Sequence, residues 1–481
     1  MNNTPYFPAF RPKLAALGRR AASVRNRSTQ EIEAEFGRYL PPSLLEPTAK
    51  GPGSRRRLFP MARTFWCFLW QTLQPHTSCR AVVRKVQAQL EHQRLQVDEN
   101  TSAYCQARSR LPAHLLTGAF HQSARAAEQR SALIRLFGNR PVKVVDACTF
   151  QLPDTPANRK AYPYPAGQKR GCGFPVLKTL AIFSLASGAF LHFATGTWRT
   201  SEGSLLWRLM TTVQPGDIWL GDRVFGAFVF LASLPARQAD ALFRLHHARK
   251  LDLRNATKLG RNDWLVTFHK FPYLRAPYLS ARDWMALPDS IQVRVIHAHI
   301  PIKGFRTRDL WLVSTLLDPL AYPAEELIAL YFRRWEIELS FRDIKTTMGM
   351  EALSCRSPAM ILKELIVFLI AHNCIRAVMA EAAHTHDVPR QRISFKGTVD
   401  TLRSFLPELL NAHSLRGFQR LHRRLLQILA FDLLPLRPNR SEPRAVKHRP
   451  KPYPLLTKPR RQFKAPVHKG ARRGRQRVLL S

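Results

Sequence analysis

The sequence predicts an α/β protein in which a mixed sheet with covering helices is interrupted by a β-strand insertion and flanked by helical N-terminal and C-terminal regions. Three observations predict it. Apolar residues recur at helical spacing up to about residue 135; β-branched runs begin near residue 140 and return between about 250 and 320; long helical patterns resume at about 324–348 and 358–380.

In order along the chain, "STQEIEAEFGRYLPP" places Ser28 three residues before Glu31, a capping-box spacing, and stops at Pro41-Pro42. "SCRAVVRKVQAQLEHQR" spaces its apolar residues helically with bases between them. Residues 1–135 therefore read as a basic helical domain, and DNA binding and plain packing suit it equally well. From 136 to 249 the runs "VKVVDACTFQL", "VLKTLAIFSL" and "AFLHFATGTW" are strands, "SEGSLLWRLMTTV" a helix, "DIWLGD" a strand, "AFVFLASL" a helix and "ADALFRLHHA" a strand. This is the first part of an α/β domain. The β-rich stretch 250–320 ("DWLVTFHK", "IQVRVIHAHI", "DLWLVSTLLD") interrupts it, 321–385 completes it, and 386–436 is helical. Residues 437–481 hold 15 Lys or Arg, one acid and seven prolines, a composition suited to an extended basic tail.

Length and charge narrow the function. A chain of 481 residues has room for several domains. Its 75 Lys and Arg against 33 acids leave a formal charge of +42, which favours polyanionic partners, nucleic acid first. An anionic membrane ranks well behind. The most suggestive apolar stretch, "FPVLKTLAIFSLASGAFLHFATG", contains Lys178 and a Ser-Gly turn at 187–188, so it reads as two strands. The seven cysteines are scattered without a Cys-x-x-Cys pair, which argues for reduced thiols in a cytoplasm and against a disulfide scaffold or zinc finger. "MNNTPYFPAFRPKLAALGRR" has no apolar run of signal-peptide length, so secretion is not expected.

Three acids stand out. Asp146 lies mid-strand between "VKVV" and "ACTF", where an uncompensated charge is costly; the bland reading is a bend or a buried arginine partner. Asp222 closes "DIWLGD" at a strand end, where sites are built and where turn aspartates are also common. The third comes from "YFRRWEIELSFRDIK". On one continuous helix Tyr331, Arg334, Glu338 and Lys345 fall within about 60° of one another, while Glu336 lies about 140° from Tyr331. Ile337, Phe341 and Ile344 form the packing face. The bland alternative is a solvated helix in which Glu338 pairs with Arg342.

Tyr331-x2-Arg334-x3-Glu338-x6-Lys345, preceded by "VVDACTFQL" and "GDIWLGDRVFG", resembles the Tyr-Arg-Glu-Lys signature of the DDE transposases of bacterial insertion-sequence family four, over about residues 140–380. The resemblance implies an RNase H-like catalytic core split by the β insertion, with Asp146, Asp222 and Glu338 as catalytic triad and metal ligands for two Mg²⁺ ions, Mn²⁺ being the substitute. Tyr331, Arg334 and Lys345 then hold DNA phosphates, Arg342 joining them, and Trp311 stacks on a base flipped from the transposon end. Trp264 and Trp284 lie in the same insertion and read as core aromatics. His246 and His247 read as structural or DNA-facing. The implied partners are double-stranded DNA (inverted repeats and target) and a second copy of the chain on paired ends, with no membrane. The rival reading is a DNA-binding or architectural derivative without catalysis. Cys148 beside the first acid and the loosely matching N-terminal helices depart from the family pattern.

Overall fold

The computed structural model describes residues 31–45, 58–74, 77–91, 98–131, 140–165, 172–246, 249, 251–271, 275–299, 309–412, 414–435, 459 and 462. Ser28, His247 and, apart from 459 and 462, the basic tail lie outside the described residues.

The N-terminal part is helical: α1 (Glu31–Phe36), α2 (Met61–Leu73), α3 (Cys79–Glu91), α4 (Ser102–Arg110) and α5 (Ala113–Ser131). Apolar residues occur all round α2, because it packs between two groups. Cys67 joins the small cluster with Val82, Val83, Val86 and Tyr104, whereas Phe65 and Leu69 belong to the main core.

The central part alternates strands and helices: β1 (Val142–Gln151), α6 (Pro156–Ala161), β2 (Val176–Ser184), β3 (Phe190–Thr197), α7 (Glu202–Leu209), β4 (Ile218–Gly221), α8 (Phe228–Ser233) and β5 (Asp240–Arg244). The apolar stretch set aside as a membrane candidate is indeed β2 and β3. Gly188 turns the chain between them at φ +76°, and a Cβ there would meet Arg390 Nη1 at 2.7 Å. The insertion follows as β6 (Thr257–Gly260), β7 (Asp263–His269), α9 (Ala281–Met285), β8 (Ser290–His299) and β9 (Asp309–Ser314). The chain then returns to helices: α10 (Ala324–Phe332), α11 (Trp335–Arg342), α12 (Pro358–Thr385), α13 (Phe395–Asn411) and α14 (Leu415–Phe431).

All nine described strands form one sheet in the order β3-β2-β1-β4-β5-β9-β8-β7-β6. β1, β4 and β5 run parallel; every other neighbouring pair is antiparallel. The insertion therefore continues the sheet across the antiparallel β5–β9 pairing instead of forming a layer of its own. Arg294 on β8 fastens it to the helical return, donating from Nε to Asp263 Oδ1 at 2.9 Å and from Nη1 to the Tyr322 carbonyl at 2.6 Å.

Strand alternation sends Val144, Leu220, Leu242 and Leu312 to one face, where α5 and α12 pack. Val145, Trp219, Phe243 and Val313 go to the other, beneath α7 and α8. Among the described residues α12 alone is long and apolar enough to span a bilayer, and 94% of its apolar window is buried inside this protein. It is the core helix of the first face.

Candidate active site

The register of the parallel strands brings the first two acids together. Val144 pairs with Leu220 across β1 and β4, so Asp146 and Asp222 each lie two residues further on, just past the C-terminal end of the parallel pairing: Asp222 follows β4, while Asp146 sits midway along β1, which runs on against β2. Open α/β sheets build their sites at that end. Asp146 shares the parity of Val142 and Val144, the face on which α11 packs. Its Oδ1 accepts from the Ala147 N–H at 2.8 Å, and Asp222 Oδ1 accepts from the Val224 N–H at 2.9 Å, fixing the turn after β4. Burial pushes the Asp146 carboxyl up to about 6. The Ala147 N–H and Arg334 pull it down, and the charges of Asp222 and Glu338 push it up again. Both other acids thus act electrostatically on Asp146.

The third acid arrives on a helix that differs from the expectation. A single continuous helix from 331 to 345 is not formed. α10 ends at Phe332; a tight turn follows, in which the Arg333, Arg334, Glu336 and Ile337 N–H groups bond to carbonyls three residues back. After α11, residues Asp343–Thr347 make a π-helical turn closed by the Met348 N–H on the Asp343 carbonyl at 3.0 Å. The cause is tertiary. Arg376, from the middle of α12, donates from Nη2 to Ser340 Oγ at 3.2 Å and to Asp343 Oδ2 at 2.9 Å, drawing the helix end toward α12.

Arg334 bridges the helix to the sheet. Its Nη2 donates to Glu338 Oε1 at 3.2 Å, while Nη1 stands 4.0 Å from Asp146 Oδ2. The i, i+4 partner of Glu338 is thus Arg334, one turn before it; Arg342, one turn after, is exposed. Glu336 faces elsewhere, bound to Arg333 Nε at 2.9 Å and 3.9 Å from the buried Arg390. Tyr331 is buried, its hydroxyl pushed up to about 12 by burial, with Arg334, Arg244 and Asp222 the charges that reach it. Lys345, turned by the π segment, places Nζ 5.1 Å from the Phe150 ring centre on β1. It lies near Cys148, whose thiol burial pushes up to about 12.

Asp146, Asp222 and Glu338 are hard oxygen donors of the type a divalent cation selects. Among the described residues, however, no three His, Cys, Asp or Glu side chains are grouped closely enough to hold an ion in this arrangement. The positive charge standing between Asp146 and Glu338 is the Arg334 guanidinium. The donor chemistry fits a divalent metal, and the side chains are arranged around an arginine.

Residues 138–374 match the family described as "Transposase DDE domain". The chain belongs to the DDE transposases. It is 28% identical over 448 residues, 91% of this chain and 96% of the relative, to "Transposase InsG for insertion sequence element IS4" of Escherichia coli (strain K12), which bears out the resemblance to insertion-sequence family four. "Putative transposase InsZ" of the same organism is 29% identical over 125 residues, 26% of this chain and 42% of that protein. Among solved structures, the piggyBac transposase synaptic complex with hairpin DNA is similar at a TM-score of 0.39 and 11% identity, covering 83% of this chain and 81% of that one.

In this transposase the aromatic residues of the insertion gather on one sheet face. Trp311, half-buried on β9, stacks with His297 of β8 at 4.3 Å between ring centres and with Trp264 of β7 at 5.9 Å. Trp264 was expected in the core and instead adjoins Trp311; Trp284, on α9, is buried as expected. β5 ends at Arg244, ahead of His246, which therefore stands beyond the strand expected for it. The sequence reading missed Asp343, Arg376 and Arg390. For Arg376 the signal was present as a charge interrupting the apolar run "ILKELIVFLIAHNCIRAVMA".

Proposed function

We propose that the chain is a DNA transposase that binds the ends of an insertion sequence and catalyses metal-dependent phosphodiester hydrolysis and strand transfer. The observation that carries this reading is the strand register that sets Asp146 and Asp222 side by side just past the parallel β1–β4 pairing, with Arg334 reaching toward both Asp146 and Glu338. The sheet order β3-β2-β1-β4-β5, with three antiparallel strands followed by two parallel ones, supports reading this part as an RNase H-like core.

The roles follow from position. Asp146, Asp222 and Glu338 would hold Mg²⁺ or Mn²⁺, two ions in all, which when bound activate the attacking oxygen and stabilise the leaving one. Tyr331, Arg334, Arg342 and Lys345 would hold the phosphates beside the scissile bond, Arg334 as a planar fork and Lys345 as a point charge. Trp311, with Trp264 and His297 behind it, would be the platform for an unstacked base. The helices of residues 1–135 and the tail 437–481 would add sequence-independent phosphate contacts, and two chains would act on paired ends.

The test is Glu338→Gln. Its expected outcome is retained binding to duplexes carrying the element's ends, with Mg²⁺-dependent nicking reduced at least about 100-fold. Nicking at the wild-type rate would remove Glu338 from the site. Binding by the wild-type chain without any nicking in Mg²⁺ or Mn²⁺ would favour the architectural reading.

A further inference from the structure

Arg334 is engaged inside the acid cluster, although the proposed function gives it a phosphate to hold. The side chain is only 12% exposed, and its Nε is buried without a hydrogen-bond partner among the described residues. The guanidinium lies 5.9 Å from the Tyr331 ring centre and 5.8 Å from that of Trp335, which hold it over the carboxylates. Its two terminal nitrogens reach toward different acids, Glu338 at 3.2 Å and Asp146 at 4.0 Å. A guanidinium fork and a divalent cation compete for the same carboxylate oxygens, because both are positive and both need those lone pairs. A phosphate offers the fork a planar pair of acceptors in exchange.

Resting on the proposed function, we infer that Arg334 is an exchangeable counter-ion. It neutralises Asp146 and Glu338 in the free protein and moves to a DNA phosphate when a divalent cation takes those carboxylates. Metal binding and DNA binding then favour each other, since each removes the competitor of the other. The unpartnered Nε is the donor left over in the resting position, and it gains an acceptor in the DNA-bound one.

The experiment measures Mn²⁺ binding to the full chain by electron paramagnetic resonance of free Mn²⁺, with and without a duplex DNA, for the wild type, Arg334→Gln and Arg334→Lys. Without DNA, Arg334→Gln is expected to bind Mn²⁺ at least about fivefold tighter than wild type, the lower end of ordinary coupling energies. DNA is expected to tighten Mn²⁺ binding by wild type and to leave Arg334→Gln unchanged. Arg334→Lys, charged but without the fork, is expected to fall between them. Equal or weaker Mn²⁺ binding by DNA-free Arg334→Gln overturns the exchange, provided its circular dichroism matches wild type; Arg334→Lys serves as the measured variant if Arg334→Gln does not fold. Glu338→Gln separates the two ideas: if it binds Mn²⁺ as wild type does, the metal role of the acids fails as well, whereas weakened binding leaves that role intact whichever way Arg334 behaves.

Discussion

Replacing Asp146 by Asn should make the metal-free protein more stable, and the size of the gain can be worked out. The Asp146 carboxyl is raised from 3.8 to about 6 in the folded chain, chiefly by burial, and its side chain is 20% exposed, so solvent screens it only partly. At about 1.4 kcal/mol per tenfold change in proton affinity, ionising this group in the fold costs about 3 kcal/mol. The sign follows from the direction. Below about pH 4 the carboxyl is protonated in both folded and unfolded chains and the cost is absent; stability falls as pH rises from about 4 to 6, and above 6 the full cost remains. Asp146→Asn removes the titration and keeps a carbonyl able to accept the Ala147 N–H. Urea unfolding of EDTA-treated protein, followed by the fluorescence of its nine tryptophans, should therefore show equal stabilities near pH 4. Near pH 7.5 the Asn variant should lead by about 3 kcal/mol. A difference independent of pH, or a variant weaker than wild type near pH 7.5, would refute the reasoning.

Two other substitutions probe the supports of the site. Asp343→Asn leaves Arg376 without its carboxylate and should cost about 3 kcal/mol in the same unfolding assay, near the low end for breaking a buried ion pair, because burial already raises the Asp343 carboxyl and Arg376 keeps Ser340; an unchanged midpoint would mean that the pair does not hold the π turn. Trp311→Ala should weaken binding to the element's ends by about 1–3 kcal/mol and leave the salt dependence of binding unaltered, since stacking releases no counterions; a shallower salt slope, read by fluorescence anisotropy, would show that Trp311 acts through charged neighbours instead.

The sequence was readable where local pattern and tertiary structure agreed. β1 and β4 announce themselves by β-branched and aromatic residues around an acid, and β2 and β3 by the turn at Ser187-Gly188. The segment 331–345 was misread because a helical wheel assumes one rotation per residue throughout. A three-residue turn at Arg333-Arg334 and a wider π turn at Asp343 both break that assumption, and the second depends on Arg376, 33 residues further along. The partner of Glu338 was ambiguous for a related reason: Arg334 and Arg342 stand at equal spacing on either side, and only the position of β1 distinguishes them. The insertion was recognisable as β structure, but its continuity with the main sheet rests on β5 pairing with β9, whose bonded residues Ala241 and Ser314 are 73 apart, a pairing no local pattern records.

That continuity makes the sheet a calliper. Trp311 on β9 and Asp222 beyond β4 are separated by β5, so two strand spacings of about 4.8 Å each set the lateral offset between them, Trp311 on the face of Val313 and Asp146 on the opposite face, that of Val144. The jaws share one hydrogen-bonded plate, with the Leu245 N–H holding the Trp311 carbonyl at 2.8 Å. Under the proposed function, the rigid backbone between them would fix how far a nucleotide stacked on Trp311 lies from the acids.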